Sequence, residues 1–175
     1  MTFLYIIYVI VAIVLILLVV ALYLPNGYFI EKHAIINKPC AIVMDKVADL
    51  NNYAQWNPWM KTDDNGKSKI TGTPKTPGHK FAWEGKKIGV GSLTLRDIDN
   101  KHVFFDLHFV KPYKARGRDN WIFEEWGNGG ETKVTWQDFG DLPYPHGRLI
   151  GYLLYKSLNR QFTEGLKNLK NLCEK

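Results

Sequence analysis

The chain has 175 residues, 46% of them hydrophobic, with a formal charge of +6 at neutral pH and two cysteines. This composition excludes a disordered chain. The cysteines, Cys40 and Cys173, are far apart and outside any CxxC, which excludes a disulfide-stapled scaffold and fits a reducing compartment.

Phe3 to Leu24 contains no charged residue and no Gly, Pro, Asn or Gln. As a helix it spans roughly 33 Å, enough for a hydrocarbon core of about 30 Å. Tyr5, Tyr8 and Tyr23 fall near its ends, where aromatic rings suit the membrane interface. Pro25, Asn26 and Gly27 then stop it. A cleaved signal peptide is the alternative. It is disfavoured by the missing N-terminal Lys or Arg, the length of the run and the lack of an A-x-A-like site. Residues 1–27 are therefore read as an uncleaved transmembrane anchor. Lys32, Lys38 and Lys46 follow it, so the positive-inside rule favours a single-pass protein whose soluble domain is cytoplasmic. The whole formal charge lies on residues 28–175. It suits contact with anionic headgroups as well as an ordinary lysine-rich surface.

Tyr28 to Asn37 alternates and predicts a first strand. Pro39 suits a helix start, and Ile42, Val43, Val47 and Leu50 share one side of a helix over Ala41 to Leu50. A short aromatic turn or second helix follows, from Tyr53 to Trp59. Strands are predicted over Lys67–Thr73, His79–Glu84, Ile88–Asp97, His102–Val110, Arg116–Trp126 and Thr132–Phe139. Asp99-Asn100 and Asn128-Gly129-Gly130 serve as hairpin turns. Gly89 and Gly91 mark a bend or a close approach. The chain closes on one long helix, Pro145 to Cys173. Ile150, Leu154, Leu158, Phe162, Leu166, Leu169 and Leu172 form its apolar stripe, roughly opposite Lys156, Arg160, Lys167 and Lys170. The fold class is α+β: a curved antiparallel seven-stranded sheet on a long C-terminal helix, with two short helices after the first strand.

Four segments carry a family resemblance. "VADLNNYAQWNPW" (Val47–Trp59), "FAWEGKKIGVGSLTL" (Phe81–Leu95), "ETKVTWQDFGDLP" (Glu131–Pro143) and "EGLKNLKNLCEK" (Glu164–Lys175) resemble, in order, segments of the polyketide cyclase/dehydrase-like branch of the SRPBCC, or START-like, helix-grip superfamily. The resemblance spans Tyr28 to Lys175 and leaves the anchor outside it. It implies a helix-grip domain over residues 28–175, able to enclose a cavity. Its members bind apolar ligands, transfer lipids or, in a minority, close rings.

Strand alternation nominates the cavity walls: Phe81 and Trp83; Phe105, Leu107 and Phe109 beside Val103; Trp121 and Phe123; and Trp136 beside Val134. The same pattern also fits a filled core. Asp119 and Asp138 continue the faces of Trp121 and Trp136 and are the catalytic candidates, since a carboxyl in apolar surroundings has a raised pKa. No metal site is expected, because His102 and His108 lie about 20 Å apart along one strand. With no nucleophile elbow and no phosphate loop, no cofactor is expected either. Lys111 to Arg118, KPYKARGR, is a basic loop suited to phosphate, but no aromatic platform accompanies it and nucleic acid is not expected as a partner. The leading expectation is a membrane-anchored binder of a small apolar or amphipathic, lipid-like molecule. A polyketide cyclase/dehydrase-type enzyme and a ligand-free protein-interaction module are the alternatives.

Overall fold

The computed structural model describes residues 2–175. Helix α1 (Thr2–Tyr23) is apolar throughout and exposed along nearly its whole length, Ala21 being its buried residue. Among the described residues it is the one helix long and apolar enough to cross a membrane. Three residues separate it from strand β1 (Gly27–Ile36). Then come α2 (Cys40–Ala48), a single turn at Leu50–Asn52, α3 (Tyr53–Trp56) and a second single turn at Trp59–Lys61. Strands β2 (Lys67–Thr71), β3 (Lys80–Gly85), β4 (Gly89–Ile98), β5 (His102–Lys111), β6 (Ala115–Trp126) and β7 (Glu131–Asp141) follow, and α4 (His146–Glu174) ends the chain.

The seven strands form one antiparallel sheet in the order β1-β7-β6-β5-β4-β3-β2. The chain meanders from β2 to β7, and β1 closes the far edge beside β7. Period-two burial sets the inner face: Ile30 and Ile36 on β1, Phe81 and Trp83 on β3, Leu93 and Leu95 on β4, Val103 and Phe105 on β5. Register shifts at Val90/Gly91 and Leu95/Asp97 bend β4. Gly91 is required there: the Trp83 ring and the His108 carbonyl lie where a Cβ would project. The curved sheet wraps the C-terminal half of α4, where Phe162, Leu166, Leu169 and Cys173 are buried. Asn168 Nδ2 donates to the Trp56 carbonyl at 3.1 Å and Lys170 Nζ to the Ile35 carbonyl at 2.7 Å, tying that half down.

Two expectations change in detail. Leu50 leaves α2, because the Asp49 carboxylate accepts the Asn51 backbone N–H at 3.0 Å and starts a new turn. The basic side of α4 is not one free stripe. Lys156, Arg160 and Lys167 are exposed, whereas Lys170 is held by the Ile35 carbonyl and lies 3.6 Å from Glu174.

Candidate functional site: a half-filled core

The space between sheet and α4 is filled at one end and open at the other. A cavity of about 530 Å³ occupies the open end, within the range of small-molecule sites. Its floor is an aromatic stack. The Trp136 ring lies between Trp121 and Phe162, with centroids 4.4 and 3.9 Å away, and Trp56 meets Trp121 and Trp136 edge-on. Trp83, Leu107 and Phe109 form the sheet wall, Tyr28, Tyr53, Trp59 and Met60 close the sides, and Leu154, Leu158 and Phe162 supply the α4 wall.

Of the eight residues nominated as ligand-binding walls, Trp83, Leu107, Phe109 and Trp136 line this cavity. Phe81, Phe105, Trp121 and Phe123 do not. Each is 1% exposed and sits in the solid part of the core, Phe81 against Tyr53 and Trp121 against Trp56 and Trp136. Alternation identifies which face a residue shares, but not where along a strand packing gives way to space. The α4 stripe divides in the same way: Leu166 and Leu169 are core, Phe162 is buried at the boundary, and Leu158, Leu154 and Ile150 line the cavity.

Asp119 and Asp138 both reach the cavity, and they are direct cross-strand partners on β6 and β7. Each is 3% exposed. Burial, then the neighbouring Asp138 charge, pushes the Asp119 carboxyl well above the usual carboxylate range. Burial also raises Asp138, while Asp119 and the Tyr28 hydroxyl beside it oppose that rise. Of the two, Asp119 is pushed up further, so it is the carboxyl that keeps its proton more readily. Burial and then the Asp138 charge keep the Tyr28 phenol protonated. Gly140 makes room for it, because a Cβ there would meet the Tyr28 ring and hydroxyl at 3.0 Å. Asp119 Oδ1 and Trp136 Nε1 are buried without hydrogen-bond partners. These orphaned atoms and the two carboxyls form a polar cluster at the floor of a mostly apolar space, and Gln161 Oε1 and His146 Nε2 are further unpartnered polar atoms on its α4 side.

Exposed lining residues mark the mouth: Lys87, Lys111, Tyr113 and Arg116 on the sheet side and Ile150 on α4. The basic β5–β6 loop is therefore part of the rim. Its Tyr113 ring lies tilted against His146, centroids 4.0 Å apart, and so bridges from the sheet to α4. Lys87 is positioned by Asp63, whose carboxylate accepts the Lys87 backbone N–H at 2.7 Å. Among the described residues no cluster of three or more His, Cys, Asp or Glu is placed to hold a metal. The sequence reading named Ile150 and the Lys111–Arg118 loop but not as a cavity mouth, and it missed Tyr28, Tyr53, Trp59, Gln161 and Lys87. Tyr28 is in phase with Ile30 and was findable by alternation. Tyr53, Trp59 and Lys87 sit in a one-turn helix and in turns too short to carry a period, and Gln161 is a polar residue of α4 beside the apolar stripe.

No protein-family model and no curated protein matches this sequence. Solved structures do match. The chain is similar to the Zhui aromatase/cyclase of a Streptomyces species, with a TM-score of 0.63 at 14% identity, over 85% of this chain and 94% of that one. It is similar to protein CV1439 of Chromobacterium violaceum, with a TM-score of 0.62 at 15% identity over 84% and 97% of the two chains. It is also similar to protein TTHA0849 of Thermus thermophilus, with a TM-score of 0.61 at 18% identity over 83% and 97%. Likeness at these identities shows the fold, and that fold is the helix grip.

Proposed function

We propose that residues 1–27 anchor the chain in a membrane and that residues 28–175 hold a small apolar or amphipathic, lipid-like ligand in the cavity. The observation that carries this reading is the cavity itself. It is walled mainly by aromatic and aliphatic side chains and has few polar groups, chief among them the Asp119–Asp138 pair at its floor, with Gln161 and His146 on the α4 side. This is the pattern of sites that bind apolar bodies and orient them by a few polar groups. The ligand's apolar body lies against Trp136, Leu107 and Phe109, and a hydroxyl or carbonyl meets the Asp119–Asp138 pair. A carboxylate head is disfavoured at the floor, where it would add negative charge beside Asp138. A protein-interaction module with a filled core fits less well, because the core is open at this end. Lys32, Lys38 and Lys46 beyond α1 favour a cytoplasmic domain by the positive-inside rule.

The test is titration of the full-length protein in detergent micelles with the neutral fluorophore N-phenyl-1-naphthylamine, corrected for empty micelles. Native mass spectrometry of protein extracted from its own membrane would identify what co-purifies. Saturable binding that is lost when Leu107→Trp fills the cavity supports the reading. Absence of saturable binding, with no co-purifying molecule, ends it.

The buried acid pair favours one second reading, an enzyme of the cyclase/dehydrase type. Asp138 would remove a proton from a carbon beside a carbonyl. Asp119 would deliver its proton to a departing hydroxyl, releasing water as the carbon–carbon double bond forms. The proton on Asp138 then returns to Asp119. Two convergent proton-handling groups in one cavity are what such a step needs. The aromatase/cyclase among the similar structures is consistent with it.

A further inference from the structure

The junction between α1 and the domain is short and bonded. Only Leu24, Pro25 and Asn26 intervene before β1, and the Asn26 carbonyl accepts the Leu142 N–H at 2.8 Å. The Tyr144 hydroxyl donates to the Leu18 carbonyl at 3.2 Å, and Arg148 Nη1 donates to the carbonyls of Ala21 and Leu22 at 3.3 and 3.4 Å. These contacts fix how deep the start of α4 sits. The Leu18 carbonyl lies about 7.5 Å below the end of α1 at a rise of about 1.5 Å per residue. Tyr144 therefore reaches the level where the hydrocarbon gives way to headgroups, a preferred depth for tyrosine. Arg148 sits at the last turn of α1, where its charge also suits the negative end of the helix dipole.

The cavity mouth is built from the same turns. Leu142, Pro143, His146 and Gly147 flank Tyr144 and Arg148 in sequence and line the cavity. Large apolar side chains are left exposed around them: Tyr113 is 52% exposed, Ile150 45%, Tyr152 77% and Leu153 67%. His146, Ile150 and Leu153 share one side of α4. Tyr152 lies about 6 Å along α4 from Arg148, within a headgroup layer of roughly 5–8 Å. Lys87, Lys111 and Lys114 stand on the opposite rim, where anionic headgroups would meet them.

We propose that this mouth face docks on the anionic bilayer surface that holds α1, so that the cavity exchanges its ligand directly with the membrane rather than through water. The inference rests on the anchor reading above and adds a fixed orientation to it. The docking surface is the β5–β6 loop with the first two turns of α4. It is not the Lys156 to Lys170 stripe, whose far end is tied down to β1.

The experiment uses the full chain in vesicles of phosphatidylcholine and phosphatidylglycerol. Single cysteines at Tyr113→Cys and Leu153→Cys carry an environment-sensitive fluorophore. Asn100→Cys, in the β4–β5 turn at the opposite end of the sheet, is the control, and the parent chain supplies the background from Cys40 and Cys173. Docking predicts blue-shifted emission at 113 and 153, quenched by nitroxide-bearing lipids, and water-like emission at 100. The Tyr144→Phe/Arg148→Ala double variant should still float with the vesicles but lose part of that quenching. If the chain floats while 113 and 153 remain water-like, the anchor stands and docking is overturned. If the chain does not float, the anchor reading falls and docking falls with it. Blue-shifted emission that lipid nitroxides fail to quench would mean a protein covers the patch, and would also overturn the proposal.

Discussion

Asp119 and Asp138 face each other across β6 and β7, both buried, at the floor of the cavity. Their burial has a consequence for stability. An aspartate in the unfolded chain titrates near about 3.9. Folded Asp119 holds its proton to higher pH, through burial and then the Asp138 charge. Over that window the folded state binds more protons than the unfolded state. Stability is therefore full below the unfolded pKa and falls as pH rises through the folded one, by up to about 1.4 kcal/mol per pH unit. Asp119→Asn should flatten this slope. Chemical denaturation at a series of pH values from 4 upward checks it: the advantage of the wild type over the variant should shrink as pH rises. Asp63 and Asp99 do not confuse the comparison. They are held low by the Lys87 and Lys101 backbone N–H groups respectively, so their contribution is lost as pH falls below about 4, in both proteins alike.

Leu158 and Leu166 lie two turns apart on α4 with different surroundings. Leu166 is 3% exposed in the solid core, and Leu158 faces the cavity. Leu166→Asp should therefore cost several kcal/mol, enough to unfold a domain stable by about 5–15 kcal/mol. Leu158→Asp should fold, at a smaller cost, and lose affinity for apolar probes. Thermal melts and probe titrations separate the two. Equal loss of folding in both would mean the cavity wall is as tightly packed as the core.

Trp121 and Leu107 test the division of the sheet in the same manner. Trp121→Phe leaves a void in the filled end. It should cost about 1–3 kcal/mol and leave N-phenyl-1-naphthylamine binding unchanged. Leu107→Trp adds a ring to the open end. It should weaken or abolish binding with little loss of stability, because the ring enters space that is already vacant. Reversed results would place the ligand against Trp121.

Much of the fold was legible because it rests on period. Alternation placed Phe105, Trp121 and Trp136 on the inner face, and the spacing of Phe162, Leu166 and Leu169 placed α4 against it. Asp119 and Asp138 were found because they continue those faces, although only the register makes them partners. The cavity's boundaries were not legible. Phe81 and Trp83 share one strand face, yet only Trp83 borders the cavity, because what opens the space lies outside β3. The mouth draws on Lys87, Tyr113 and His146, from two turns and a helix start, where neither period applies. Tyr144 and Arg148 gave no signal at all. Their significance depends on the position of α1, about 125 residues earlier in the chain.

The anchor makes its own prediction. The full chain should stay with membranes through carbonate extraction, and a chain beginning at Pro25, which keeps the Asn26–Leu142 hydrogen bond, should be soluble. Release of the full chain at high pH would remove the anchor. A mature N-terminus near Gly27 would identify a signal peptide in its place.

Asp138→Asn separates binding from catalysis. The amide has nearly the shape of the carboxylate, so the cavity keeps its volume, and the apolar contacts of Trp136, Leu107 and Phe109 are untouched. It also removes the negative charge that helps to raise Asp119, so the Asp119 carboxyl should titrate at lower pH in the variant. If the domain only binds, affinity for a neutral apolar probe should change little. If it catalyses dehydration, the variant has lost its base, and turnover of a β-hydroxy ketone, followed by the ultraviolet absorbance of the enone, should fall by about 10²–10⁴-fold. A wild-type protein that binds the ketone and forms no enone would retire the enzymatic reading and leave the carrier. Wild-type turnover that vanishes in Asp138→Asn with binding intact would reverse that order.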